Sequence, residues 1–213
     1  MNEQVAGRRG SARDRLLDLA EAAVLQKGFG ATSIEELIAA AGISKSGFFY
    51  HFRDKNDLAR ALIVRYLEND QAILDELFGN ADALNEDPLH GFLVALKMFA
   101  DMMANLPDAH PGCLAASYCY QEQLFSADVR ALATRGTLAW RARFRERFES
   151  IAKRYPPCVE VDLDALAYAA SVIIDGGITL SKQLKDPVLL PKQVMLFRAF
   201  IKAVFEPRSG AGA

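Results

Sequence analysis

Histidine and cysteine are scarce in this chain, and each shortage excludes something. The only histidines are His51, His90 and His110, and none stands in a recognisable catalytic pattern. A catalyst needs converging acid, base or nucleophile groups. No phosphate loop, nucleophile elbow or paired-carboxylate signature is present, so an enzyme is not expected. Cys113, Cys119 and Cys158 are odd in number and irregularly spaced, which fits reduced thiols rather than a disulfide framework. His110 and Cys113 are three apart, but proline and glycine intervene, and Cys119 lies on a different side of a regular helix from Cys113. Zinc sites show tighter paired spacing. Neither a metal nor a cofactor is expected, and titrating thiols before and after peroxide would expose a redox sensor.

Long hydrophobic runs are missing too. No stretch reaches the roughly 18 unbroken apolar residues that a membrane span requires. No signal-peptide pattern precedes Arg8-Arg9, so a cytoplasmic protein without a membrane partner is expected. An excess of charge of one sign is also missing. The net charge is −2, from 25 Lys and Arg against 27 Asp and Glu, which argues against a generally basic nucleic-acid binder. Residues 1–60 carry nine basic against eight acidic residues. Any nucleic-acid contact must therefore rest on where charges are placed: Lys45, Arg53 and Lys55 stand close together with Asp54 the only acid among them.

What the chain does have is helical periodicity. Of its 213 residues 51% are hydrophobic, enough for a substantial core and too many for a disordered chain. Period-two runs of β-branched residues are rare, so the fold class is all-α. The stretch Thr32 to Phe52, TSIEELIAAAGISKSGFFYHF, reads as helix, glycine turn, helix. Ile34, Leu37 and Ile38 form the inner stripe of the first helix. Thr32 with Glu35 and Ser33 with Glu36 offer two competing capping boxes for its start. Gly42 suits the sharp turn, Ile43 plugs the corner and Ser44 caps the second helix. Phe48 and Phe52 face inward, leaving Lys45, Ser46, Gly47, Tyr50 and His51 outside. This is the layout of a helix–turn–helix, which places its second helix in the DNA major groove. Small polar and cationic groups at that helix start suit phosphate oxygens, and base readout falls to Lys45, Ser46 and the open surface at Gly47. Arg8, Arg9, Arg13 and Arg15 form a basic N-terminal arm.

In these residues the chain resembles the TetR family of transcriptional repressors, from about Arg13 to Leu58. The opening helix Arg13 to Lys27 ends at Lys27-Gly28-Phe29-Gly30. Ala31-Thr32-Ser33-Ile34 is similar to the family's G-x-x-x-T-[ST]-[IV] entry, and Ile43 through Phe52 is similar to its V-S-K-G-x-[LF]-Y-x-H-F recognition helix. Arg53 to Leu58 is similar to the start of its fourth helix, with Asp54 as cap. The resemblance implies phosphate contacts at Thr32, Ser44, Tyr50, His51 and Lys55, and base approach at Lys45, Ser46 and Gly47. Ser46 stands where the family often has glycine, Gly47 where it often has a larger base-reading residue, and Phe49 where tyrosine is frequent. Phe49 can pack or touch a thymine methyl but cannot donate to a phosphate. The implied domains are a DNA-binding domain over 1–56 and an effector-binding and dimerisation domain over 57–213.

The remainder reads as helices over Leu58 to about Phe78 (broken at Gly79-Asn80), Pro88 to Leu106, Cys113 to Phe125, Asp128 to Arg154, Leu163 to Leu184 and Pro191 to Phe205. The resemblance implies a ligand cavity lined by Met98, Met102, Tyr118, Trp140, Phe144 and Tyr168, with Gln121 or Asp175 as polar anchor. It also implies a dimer built from the last two helices, through Leu166, Ala170, Ile173, Gly177, Leu180, Phe197 and Ile201. The expected partners are a double-stranded DNA operator, palindromic because the dimer is two-fold symmetric, and a small-molecule effector. Repression and activation use the same contacts, and a scaffold that keeps an idle motif is the remaining reading.

Overall fold

The computed structural model describes residues 11–206. Among them the chain forms nine α-helices and one 3₁₀ turn, and no strand. They are α1 (Ala12–Lys27), α2 (Ile34–Ala41), α3 (Lys45–His51), α4 (Lys55–Leu84) and α5 (Pro88–Ala104). After a loop come α6 (Leu114–Tyr120), the 3₁₀ turn Glu122–Leu124, α7 (Ala127–Arg154), α8 (Leu163–Leu184) and α9 (Leu189–Phe205). Arg8 and Arg9 of the expected basic arm lie outside the described residues. Arg13 and Arg15 belong to α1, where the Arg13 guanidinium sits 5.3 Å from the centre of the Phe52 ring.

Two compact units emerge. The first holds the described residues up to Tyr66 together with Leu114–Ala133; the second holds Leu67–Cys113 and the described residues from Thr134 onward. The first unit thus extends past residue 56 and takes in α6, which the sequence reading places in the effector domain. The reason is aromatic burial: Phe29 packs on Tyr118 and Phe125 with ring centres 6.1 and 4.6 Å apart.

In the first unit, Leu16, Leu17 and Ala20 of α1, Leu37 of α2, Phe48 of α3 and Leu58 and Leu62 of α4 are buried, and α1 packs on α2. Helix α1 starts at a reciprocal capping box, Ser11 accepting from the Asp14 amide while Asp14 accepts from the Ser11 amide, each at 3.1 Å. Arg65 ties α4 back to α1 through Asp18 and Glu21, both at 2.6 Å.

In the second unit α9 packs on α5 and α8. Phe92, Phe148, Phe197 and Phe205 are fully buried at its centre. Helix α4 does not break at Gly79-Asn80 but runs on to Leu84. A glycine in a helix costs only about 1 kcal/mol, and buried Phe78 and Ala81 on either side hold the turn. Helix α8 is, among the described residues, the one long and apolar enough by length and mean hydropathy (1.4) to cross a membrane, with a third of that window buried. Its composition has a local cause, because it carries two apolar faces. Leu166, Ala170, Ile174, Gly177 and Ile178 point into the unit, while Val172 and Leu180 stand exposed.

Candidate nucleic-acid interface

The helix–turn–helix is built as its residues dictate. Helix α2 starts on Ser33, whose hydroxyl accepts from the Glu36 amide at 3.1 Å. The Ser33 register therefore wins over the Thr32 register. Glu36 turns away to pair with Lys27 at 2.5 Å. Gly42 ends α2 in the left-handed region (φ 64°, ψ 36°), with its amide closing onto the Ile38 and Ala39 carbonyls. Ser44 then caps α3 by accepting from the Gly47 amide at 3.1 Å, and shares a 2.9 Å hydrogen bond with the Ser46 hydroxyl. An N-cap of this kind is worth about 1 kcal/mol.

Phe48 and Phe52 anchor α3 from below, both fully buried. The rest of the helix is left bare. Ser44, Lys45 and Ser46 are exposed, Gly47 and His51 half-buried. Phe49 is 43% and Tyr50 84% exposed, although both are large aromatics. The Tyr50 and His51 rings meet edge-to-face at 5.0 Å. Seven of the nine residues expected to meet DNA, Ser44 through His51 with Phe49 among them, thus share one short segment. At Gly47 an added Cβ would lie 3.4 Å from the Ser44 hydroxyl and 3.6 Å from Ile43, ordinary contact, so a methyl fits there.

Thr32 and Lys55 do not join them. Thr32 is buried, and its hydroxyl donates to the Gly28 carbonyl at 3.0 Å. Lys55 donates from Nζ to the carbonyls of Phe29 at 2.7 Å and Gly30 at 3.4 Å. Burial alone pushes its ammonium below the usual lysine range. Both side chains donate within the protein, to carbonyls of the Gly28–Gly30 turn.

The residues expected to line a ligand cavity divide between the two units. Tyr118 and Gln121 lie in the first. The Tyr118 hydroxyl donates to the Ala59 carbonyl at 2.8 Å, and Gln121 Oε1 accepts from the Gly30 amide at 3.1 Å. Burial, with the Glu21 carboxylate as a lesser cause, holds the Tyr118 phenol protonated far above its ordinary range. The rest lie in the second unit. Trp140 and Phe144 line an apolar cavity of about 20 Å³ together with Leu74, Phe78, Leu96 and Phe99. The Trp140 indole Nε1 is buried without a hydrogen-bond partner. Met98 and Met102 are half-buried against the same core. Tyr168 is exposed, with the Arg141 guanidinium 5.6 Å from its ring centre. Asp175 is exposed on α8 and accepts from the Cys113 thiol.

Most of the expected dimer residues are covered within the chain itself. Leu166, Ala170, Gly177, Phe197 and Ile201 are buried inside the second unit's own core, and Ile173 packs against it. A Cβ at Gly177 would fall 2.8 Å from Leu190 Cδ1, so this glycine lets α8 and α9 of one chain approach. Of that set only Leu180 is open, at 46%. The exposed apolar stripes are instead Val172, Leu180 and Leu184 on α8, and Leu196 and Phe200 on α9. Each stripe steps by four or eight residues along its helix, one helix face.

Comparison with known proteins agrees with this geometry. Residues 16–62 match the family model for bacterial regulatory proteins, tetR family. The transcriptional regulator AcuR of Cereibacter sphaeroides is 26% identical over 157 residues, covering 74% of this chain and 70% of AcuR. The transcriptional repressor KstR2 of Mycobacterium tuberculosis is 32% identical over 66 residues, 31% of this chain and 33% of that protein. The crystal structure of the regulatory protein TetR from Rhodobacter sphaeroides superposes with a TM-score of 0.74 at 24% identity, over 89% of this chain and 98% of that one. Residues 16–62 thus carry the TetR-family helix–turn–helix, on an all-helical fold like that of TetR-family transcriptional regulators.

Proposed function

We propose that the protein is a ligand-responsive repressor that binds a palindromic operator as a homodimer and is released by a small-molecule effector. One observation carries this reading: α3 exposes Phe49 and Tyr50 beside Lys45 and Ser46 on the side away from buried Phe48 and Phe52. Exposed aromatics next to a lysine and small hydroxyls suit a surface that docks on phosphates and base edges. Repression is favoured over activation by the likeness to KstR2, a repressor 32% identical over 66 residues.

The second copy docks on the exposed stripes of α8 and α9. Val172, Leu180, Leu184, Leu196 and Phe200 are large, apolar and uncovered, and patches of this kind mark association surfaces. The effector enters the cavity between α4, α5, α7 and α8. Its apolar lining and the single unpaired indole N–H at Trp140 suit an uncharged, mainly apolar molecule with one hydrogen-bond acceptor. A cavity of about 20 Å³ has room for little more than a water, so the effector binds by favouring an opened state. Leu74 and Phe78 of the cavity lie on the same unbroken helix as Lys55, which makes α4 the transmitting element. Release follows as a population shift away from the DNA-competent state.

The test is fluorescence anisotropy on labelled duplexes from the region upstream of the protein's own gene, at several salt concentrations. Tight, salt-sensitive binding at one site, relieved by an apolar effector, supports the reading. Equal affinity for random duplex at every salt removes it and leaves a helical protein with an idle motif.

A further inference from the structure

The segment Leu114–Ser126 grips the turn that leads into the helix–turn–helix. Gln121 Oε1 accepts from the Gly30 amide at 3.1 Å across 91 positions of sequence. The Tyr118 hydroxyl donates to the Ala59 carbonyl at 2.8 Å, and the Ser126 amide donates to Asn56 Oδ1 at 3.0 Å. Tyr118 and Phe125 stack at 4.2 Å, with Phe29 against both. The Phe29–Gly30 turn is therefore pinned twice, at its carbonyls by Lys55 and at its amide by Gln121. Gly28 (φ 84°) leaves room for the second grip, since a Cβ there would fall 2.6 Å from Gln121 Nε2 and push the amide away. Thr32 hangs from the Gly28 carbonyl, Ser33 caps α2, and α3 packs on α2. A shift at Gly30 passes through this short chain of contacts to the face that meets DNA.

The geometry points to Gln121 as a positioning residue for DNA binding, whose carboxamide holds the Phe29–Gly30 turn, and with it α2 and α3, in the DNA-competent place. This rests on the reading of the protein as a DNA-binding regulator. It makes Leu114–Ser126 part of the DNA-binding head, and loosening one hydrogen bond there lowers operator affinity with α3 itself unaltered.

The experiment compares wild type, Gln121→Met and Gln121→Glu on the full chain, measuring operator affinity at several salts, thermal midpoint and exchange of the Gly30 amide. Methionine matches the shape without an acceptor, whereas glutamate keeps the acceptor. Gln121→Met is expected to speed Gly30 exchange and weaken operator binding roughly three- to ten-fold, the range of one net hydrogen bond. Its salt slope stays at the wild-type value, its midpoint falls by no more than the few degrees one net hydrogen bond is worth, and Gln121→Glu binds within about two-fold of wild type. Unchanged affinity in Gln121→Met overturns the inference. So does an equal loss in Asp87→Ala, which lowers stability from the second unit and so marks a general stability effect, or a reduced salt slope in Gln121→Met, which marks a phosphate contact. Should Gln121→Met not fold, Gln121→Ser makes the same test by deletion. A wild type that prefers no duplex defeats the underlying reading instead.

Discussion

Lys55 and Phe29 are joined twice: the ammonium donates to the Phe29 carbonyl at 2.7 Å and lies 4.5 Å from the centre of its ring. A cation so placed is a brace for the turn before α2. A lysine on a phosphate releases counterions, and its removal lowers the slope of log affinity against log salt by about one. Lys55→Met is therefore expected to cost about 1–3 kcal/mol of stability, from lost charge-assisted hydrogen bonds, with the salt slope unchanged. Denaturant melts and salt titrations of the same variant check both halves.

Tyr50 and Gly47 separate positioning from reading. Tyr50→Phe removes only a hydroxyl from an exposed ring, and is expected to weaken all duplexes alike, by roughly three- to ten-fold. Gly47→Ala adds a methyl that meets only ordinary contacts and gains up to about 1 kcal/mol of helix propensity. It is expected to fold as well as wild type or better while changing which sequence is preferred. Equal losses on specific and random duplexes for both variants would erase the distinction.

Asp87 offers a pH test. It caps α5 by accepting from the Leu89 and His90 amides at 3.1 and 2.9 Å, and also takes the Tyr155 hydroxyl at 2.6 Å. Burial opposes its ionisation, but these hydrogen bonds and Arg154 at 3.3 Å outweigh it and hold the carboxyl far below the carboxylate range. A folded value below the unfolded one, about 3.9, stabilises the protein fully above that pH and progressively less below it. Asp87→Ala is expected to cost about 1–3 kcal/mol near neutrality. The gap from wild type should narrow as pH falls below about 4, which denaturant melts across that range would show.

The two faces of α8 predict opposite phenotypes. Gly177→Ala drives a methyl to 2.8 Å from Leu190 and is expected to lower stability by about 1–3 kcal/mol, as overpacking does. Leu180→Glu with Phe200→Glu places charges on the exposed stripes and should leave each chain folded but monomeric. Sedimentation of the variants against wild type decides this, and a double variant that stays dimeric would move the interface elsewhere.

Much of the head was legible because its signals are local. A serine cap, a glycine in the left-handed region and two phenylalanines four apart specify α2, the turn and α3 within twenty-odd residues, and α8 begins and ends where its apolar period does. Direction was harder. Thr32 and Lys55 look like DNA contacts by position, yet in the fold they donate to the Gly28, Phe29 and Gly30 carbonyls. Gln121 stands out in the sequence only as a candidate ligand anchor, because its partner, the Gly30 amide, is 91 residues away. Helix α8 has apolar residues on both faces, so periodicity could not say which face the chain keeps for itself. The glycine at position 79 looked like a stop, but Phe78 and Ala81 hold the helix through it.

The most direct measurement of the central claim, that the exposed face of α3 reads DNA in a two-fold dimer, is enrichment of random duplexes by the purified protein followed by sequencing. The account predicts an inverted repeat whose half-sites are centred one helical turn apart, about 10 base pairs, or a multiple of it. In Gly47→Ala that repeat should change within the half-sites while keeping its symmetry. Recovery of no sequence above the starting pool, or of a single asymmetric site unaffected by Gly47→Ala, would contradict it.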